Sequence, residues 1–159
     1  MAPWVRLGAG AALVLALAGV GWAVFRGDGR HVAIDPGDPA LLALGREIYA
    51  RECASCHGRD LEGQANWRVR RPDGRLPAPP HDATGHTWHH PDQQLFAMTR
   101  DGIAPFAPPG YRTDMPAYAG RLTDHEIRAV LAYIKSRWPE EIQARQAEIT
   151  RRSRDSSGK

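Results

Sequence analysis

The chain is poor in cysteine, in lysine and in any pattern typical of β-strands. Its 159 residues include two cysteines, so any disulfide has to join these two. Of the 21 basic residues 19 are arginines, and they are interspersed with 18 acidic residues rather than gathered into an aromatic-laced stripe. The composition therefore gives no sign of nucleic-acid binding. Because neither strand-like alternation nor an internal repeat is present, the fold is predicted to be all-α.

A long apolar run lies at the N-terminus. The nineteen residues from Leu7 to Phe25 carry no charge, and a helix of roughly 20 apolar residues spans a bilayer. A cleaved secretory signal with Ala16-Leu17-Ala18 as its cleavage site is the alternative, but the run continues well past that site, which favours an anchor. Residues 1–26 are therefore predicted to form a membrane anchor or signal peptide, and residues 27–37 a linker rich in Gly, Asp and Pro. Either way the chain is expected to be exported.

The remaining chain fits one small domain, residues 38–139, followed by a tail, residues 140–159, that is helical or disordered. Each predicted helix of the domain has a recognisable start signal: Asp38-Pro39 for the first, Pro91 for the second, and the capping box Thr123 to Glu126 for the third. Long loops rich in Pro and Gly separate these helices. Such loops are unusual in compact domains unless they serve a function, and wrapping a cofactor is one.

Both cysteines belong to the segment CASCHG, as Cys53 and Cys56, with His57 directly after them. A disulfide here would close a very small loop, a thioredoxin-like pair would follow a strand, and a zinc site needs four ligands. The remaining interpretation is a CxxCH haem-attachment site. Two thiols about one helical turn apart meet both vinyl groups along one edge of a haem, and His57 then becomes an axial ligand of the iron.

Two segments carry a resemblance to a known family. CASCHG after GREIYARE, together with DMPAYAGRLTDHEIRAVLAYIKSRWP, resembles the single-haem class I cytochromes c of bacteria, in particular the membrane-anchored ones. The resemblance implies a cytochrome c fold of three to five helices around one covalent haem c. It also implies that the first and last helices of the domain cross, with Gly45, Tyr49 and Tyr133 at the crossing.

Met115 is the expected second axial ligand, because Met and His are the usual choices. It lies in the irregular loop before the last helix, and MPAY matches the ligand loop of the family. Met98 has a helical position beside Leu95 and Phe96 that indicates core packing instead. Ligation by a histidine is a further alternative.

Other side chains in the long loop are expected to serve the cofactor as well. Donors for the haem propionates are sought among the arginines and tryptophans of the loop: Trp67, Arg68, Arg70, Arg71, Arg75 and Trp88. His86, His89 and His90 either cover a haem edge or form a second metal site, such as a copper site.

These features together predict an electron-transfer protein without catalytic residues. Its one haem c, attached at Cys53 and Cys56 and ligated by His57 and Met115, is expected on the periplasmic side of the inner membrane. Its expected partners are membrane redox complexes. One alternative is a fixed haem c subunit of a larger membrane oxidoreductase, of the terminal oxidase or nitric oxide reductase type. Another is a haem sensor or a copper-handling protein.

Overall fold

The computed structural model describes residues 34–157, which form an all-α fold. Within these residues the α-helices are α1 (Pro39–Ile48), α2 (Ala54–His57), α3 (Asp92–Asp101), α4 (Asp124–Ser136) and α5 (Glu140–Ser157). A π-helical turn, Tyr49–Cys53, joins α1 to α2, and short 3-10 turns lie at Thr87–His89 and Ala104–Phe106. The part of the chain that the structure describes contains no β-strand, as predicted.

The predicted membrane anchor, residues 1–26, lies outside the described residues. Among residues 34–157, none of the helices is both long enough and apolar enough to cross a bilayer.

The predicted start signals open three of these helices. The Asp38 carboxylate accepts hydrogen bonds from the main-chain N–H groups of Ala40 and Leu41 at the start of α1, and Pro91 precedes α3. At the start of α4 the capping box is complete in both directions between Thr123 and Glu126. Local sequence chemistry therefore sets where these helices begin.

Helices α1 and α4 cross at Gly45. A Cβ atom at this position would lie 2.0 Å from the main-chain oxygen of Ala129 and 2.9 Å from Cβ of Tyr133, so glycine is required for the close approach. The Tyr49 and Tyr133 rings fill the space beside it, with their centroids 5.5 Å apart. The predicted crossing of the two helices is present.

Helix α5 packs on the same core, although the sequence suggested an exposed helix or a disordered tail. Its residue Ile142 is buried in the core together with Trp138, which lies in the turn before it. Two polar residues of α5, Gln146 and Thr150, are buried as well.

A buried polar cluster joins α5 to α3, to α4 and to the start of the described chain. We define it as Asp92, Lys135, Gln146, Thr150 and the main chain of Ile34. Carboxylate oxygen Oδ1 of Asp92 accepts hydrogen bonds from Lys135 Nζ at 2.7 Å and from Gln146 Nε2 at 2.8 Å. Its Oδ2 accepts from the Ile34 N–H, and Lys135 also donates to the Ile34 carbonyl at 2.8 Å. Thr150 Oγ1 accepts from the Asp92 N–H at 3.1 Å.

Candidate functional site

A cavity of about 600 Å³ lies where α2, α3 and α4 face the long loops. Much of its wall is apolar, with Leu95 from α3, Leu131 and Ile134 from α4, and Pro79 from the loop that follows α2. Sites for small molecules and cofactors have volumes of roughly 300 to 1,000 Å³ and mostly apolar walls. The cavity therefore has the size and the lining of a cofactor site.

Both cysteines lie at this cavity. Cys53 ends the π-helical turn and Cys56 lies in α2, and both are free thiols, so the disulfide alternative is not what the structure shows. Burial raises the pKa of the Cys53 thiol to about 11, which keeps the thiol protonated at neutral pH. Two thiols from one turn of chain thus reach the same cavity.

His57 is buried in the wall of the cavity with its ring held at one nitrogen. Its Nδ1 lies 2.8 Å from the Pro79 carbonyl, which can only accept, so we assign the proton to Nδ1. Nε2 then keeps its lone pair, the arrangement found for histidines that bind metal. Burial lowers the pKa of His57, although the hydrogen bond to the Pro79 carbonyl opposes this. The lowered pKa and the proton on Nδ1 both suit a neutral imidazole that binds a metal through Nε2.

The main chain around His57 is fixed by its neighbours. The Tyr49 hydroxyl donates to the Gly58 carbonyl at 3.0 Å, and the Gly63 N–H donates to the His57 carbonyl at 2.7 Å. Gly58 itself has φ +82°, and a Cβ there would lie 2.2 Å from the Glu62 carboxylate. The positive φ favours glycine after the histidine, whereas the Glu62 carboxylate is the end of a flexible side chain and can move away.

Met115 and Met98 both line the cavity. The sequence predicted that Met98 serves core packing; the structure shows that it is partly buried against the core and also faces the cavity. Met115 lies in the loop before α4, where its main-chain N–H donates to the Thr113 hydroxyl at 3.0 Å. The structure thus brings Met115 to the same cavity as Cys53, Cys56 and His57.

The loop that carries Met115 is fastened on both sides of the methionine. Before it, the Asp114 carboxylate pairs with Arg71 and, at 3.2 Å, with Arg75. After it, the Tyr118 hydroxyl donates to the Glu52 carbonyl at 2.8 Å. These contacts restrict where the Met115 thioether lies.

The predicted propionate donors separate into two groups. Trp67 and Arg71 line the cavity. The others do not line the cavity: Arg68 stacks on Trp67, Arg70 donates to the Gly74 carbonyl, and Trp88 donates to the Ala83 carbonyl. Arg75 pairs with Asp73 and Asp114.

The structure does not support the alternative of a copper site. Among the described residues, no group of three or more His, Cys, Asp or Glu side chains is arranged to hold a metal ion. The His86 ring stacks on Trp67, with centroids 5.5 Å apart, and His89 lies against Trp88.

His81 is a residue at the site whose place the sequence did not reveal. It lines the cavity, and its ring stacks on that of His57 with the centroids 3.8 Å apart and the planes 17° from parallel. Burial lowers the pKa of His81 well below its ordinary value, and the proximity of His57 and His86 adds to this effect. No spacing rule marks this contact, because it depends on the path of the loop in three dimensions.

The donor set fits a haem c. Two thiols and one imidazole, which the attachment motif requires, line one cavity of suitable size. A thioether, one of the usual second ligands of haem iron, lines it as well.

Comparison with known proteins agrees with this chemistry. The family model described as Cytochrome c matches residues 42–138, which is more than half of the chain, and the chain belongs to that family. Membership confirms the predicted cofactor, one covalent haem c, and the predicted family.

A curated relative is similar over much of the domain. This relative, a Cbb3-type cytochrome c oxidase subunit FixPc of Rhizobium leguminosarum bv. viciae, is 30% identical over 101 residues. The match covers 64% of this chain and 29% of the relative, so the chain matches less than a third of the length of that protein. No solved structure was found to match the chain.

Proposed function

We propose that this protein is an electron carrier whose haem c is attached at Cys53 and Cys56 and ligated by His57 and Met115. One observation carries the proposal: the four side chains line one cavity, and the ring nitrogen of His57 that is not needed for ligation is already bonded to Pro79. A haem with both axial positions filled by protein supplies a one-electron couple and leaves no open coordination site for a substrate.

The residues around the cavity suit this role. The Pro79 carbonyl fixes the tautomer of His57 and makes the lone pair on Nε2 a stronger ligand for iron. Leu95, Leu131 and Ile134 keep water away from one part of the wall, and a dry wall favours the form of a redox group with less charge. Met115 supplies a neutral sulfur, and methionine with histidine raises the potential relative to two histidines.

Met115 is proposed over Met98 because of the backbone that carries each. Met98 belongs to α3 and packs on the core, which already accounts for its side chain. Met115 lies in a loop held by Thr113 and followed by Pro116, which restricts the methionine to extended backbone.

The absorption spectrum of the oxidised holoprotein tests the ligands. Methionine ligation gives a weak charge-transfer band at the red end of the visible spectrum, and Met115→Ala is expected to abolish it. Met98→Ala is the matched control and is expected to keep it. Loss of the band in Met98→Ala alone would assign the ligand to α3 and contradict the proposal.

The proposed location is the periplasmic face of the inner membrane. The uncharged run from Leu7 to Phe25 is long enough to span the bilayer, and this supports an anchored rather than a freely diffusing domain. Haem-stained protein in the membrane fraction, released into the soluble fraction when residues 1–30 are replaced by a cleaved signal, is the expected result. Soluble full-length protein would contradict it.

A second candidate function is favoured by the curated relative, which is a subunit of a cbb3-type oxidase. In this case the haem domain is a fixed part of a larger membrane oxidoreductase rather than a mobile carrier. Mild detergent extraction followed by purification distinguishes the two. A fixed subunit is recovered at a constant ratio with a large multispan subunit, whereas a carrier is recovered alone.

A further inference from the structure

His81 lies face to face with His57, the imidazole that the proposed function assigns to the iron. The ring centroids are 3.8 Å apart and the planes are 17° from parallel. Nδ1 of His81 is buried and has no hydrogen-bond partner in the part of the chain that the structure describes. His81 therefore contacts His57 through the face of its ring and not through this polar atom.

The main chain fixes the position of His81 from two directions. Its N–H donates to the Leu61 carbonyl at 2.7 Å, and its carbonyl accepts from the indole N–H of Trp138 at 2.7 Å. The Tyr49 ring approaches edge-on, with its centroid 6.1 Å from that of His81. The fold thus fixes the backbone from which the His81 ring reaches His57, because both hydrogen bonds are made by backbone atoms of His81.

The ring of His57 has one hydrogen bond, from Nδ1 to the Pro79 carbonyl. The ring plane can still tilt by rotation about the Cβ–Cγ bond, because a hydrogen bond weakens steeply only when its angle falls below about 120°. A second ring in van der Waals contact blocks this tilt, because close-packed groups cannot rotate without a clash.

We propose that His81 is a positioning residue that fixes the plane of the His57 imidazole together with the Pro79 carbonyl. The inference rests on the proposed function, since it takes His57 as an axial ligand. In an oxidised haem with these two ligands, the plane of the imidazole and the orientation of the methionine sulfur lone pair together decide which pair of opposite pyrroles carries more unpaired spin, so a change of the imidazole plane alone shifts this distribution. Proton NMR reports this distribution through the hyperfine-shifted resonances of the four haem methyl groups.

The test compares three variants of the full-length holoprotein by this spectrum. His81→Leu removes the flat face, and the methyl resonances are expected to shift in two pairs, each pair from opposite pyrroles. His81→Phe keeps a flat face and is expected to keep the wild-type order of resonances. His89→Leu is the matched control, because His89 lies against Trp88 and does not line the cavity; it is expected to leave the spectrum unchanged.

Three results would overturn the inference. The first is a leucine variant with the wild-type pattern, and the second is a phenylalanine variant that shifts as far as the leucine variant. A shift of one methyl alone would indicate direct contact with the haem instead of control of the His57 plane, and would also overturn it. If His81→Leu does not load haem, His81→Gln provides the same comparison without a ring.

The wild-type spectrum distinguishes this failure from failure of the proposed function. Absence of histidine and methionine ligation in the wild type contradicts the proposed function before any variant is measured. With that ligation present, the variants test His81 alone.

Discussion

The cavity and the buried polar cluster differ in how their polar groups are completed. In the cluster, Asp92 and Lys135 satisfy one another and also hold both polar atoms of the Ile34 peptide. In the cavity, the hydrogen bond of the His57 ring within the described part of the chain is the one from Nδ1 to the Pro79 carbonyl, and the two cysteines there form no disulfide. The cluster is completed by protein, whereas the cavity is proposed to be completed by the haem c.

The two regions also differ in which part of the chain builds them. The four proposed haem-binding residues all lie within residues 42–138, the range that the family model matches. The cluster depends on Ile34, Gln146 and Thr150, which lie outside that range. The proposed cofactor site thus belongs to the part of the chain that the family shares, and the flanking segments add buried hydrogen bonds between the helices. The two regions should therefore fail in different ways.

Loss of the attachment site is expected to have the largest effect. In a Cys53→Ser/Cys56→Ser variant the haem is not held covalently, and a large void faces α3 and α4. Since cavities destabilise in proportion to their volume, we expect loss of a cooperative thermal transition, measured by circular dichroism. Haem staining after denaturing electrophoresis checks that attachment is lost. A variant that melts as cooperatively and at the same temperature as the wild type would mean that the cavity does not depend on its cofactor.

Breaking the cluster is expected to destabilise the protein without changing the haem spectrum. Lys135→Met leaves the Asp92 carboxylate buried without its cation, which costs about 3 to 5 kcal/mol in comparable cases. The free energy of unfolding from guanidinium titration of the holoprotein measures this. Arg151→Gln on α5 breaks the exposed ion pair with Glu148 and serves as control, with no measurable change expected. Equal effects of the two substitutions would show that the burial of the cluster contributes nothing.

The features that could be predicted from the residues alone are those that depend on neighbours in the sequence. The caps at Asp38 and Thr123 each act through neighbours a few residues away, whereas the glycine at the crossing, Gly45, is expected from the family resemblance. The CASCHG motif is also local, because both thiols and the histidine are carried by one turn of chain. Such features follow from residue type and spacing alone.

Features that depend on the path of the loops could not be predicted in this way. Gln146 and Thr150 look like residues of a solvated helix, and their burial follows from contacts with Asp92, more than fifty residues earlier. The stack of His81 on His57 also depends on the path of the loop, and so does the position of Arg71 at the cavity, which the other predicted arginine donors do not line. Side-chain chemistry limits what these residues can do, but only the tertiary fold decides which of them meet.

Gly45→Ala tests the helix crossing that supports both regions. The new methyl group would meet the Ala129 carbonyl oxygen at 2.0 Å, which is backbone and cannot turn away. Overpacking of this kind costs about 1 to 3 kcal/mol, and we expect it in the free energy of unfolding of the holoprotein. Ala43→Gly at an exposed position of α1 measures the helix propensity that alanine has over glycine, which opposes the overpacking in Gly45→Ala. If Gly45→Ala stabilises the protein by as much as Ala43→Gly destabilises it, α1 and α4 tolerate a wider separation than the structure indicates.

Asp114→Asn is expected to have the smallest effect, although Asp114 directly precedes Met115. The substitution weakens the pairs with Arg71 and Arg75, whose side chains are 40% and 34% exposed, and exposed pairs contribute only about 0 to 1 kcal/mol. The Tyr118 hydroxyl still fastens the loop to the Glu52 carbonyl. The methionine charge-transfer band is therefore expected to remain, with a slight fall in stability that disappears at high salt. Loss of the band to the extent expected for Met115→Ala would contradict this and show that surface charge holds the loop that carries Met115. The cavity, unlike the cluster, would then depend on charged groups that salt can screen.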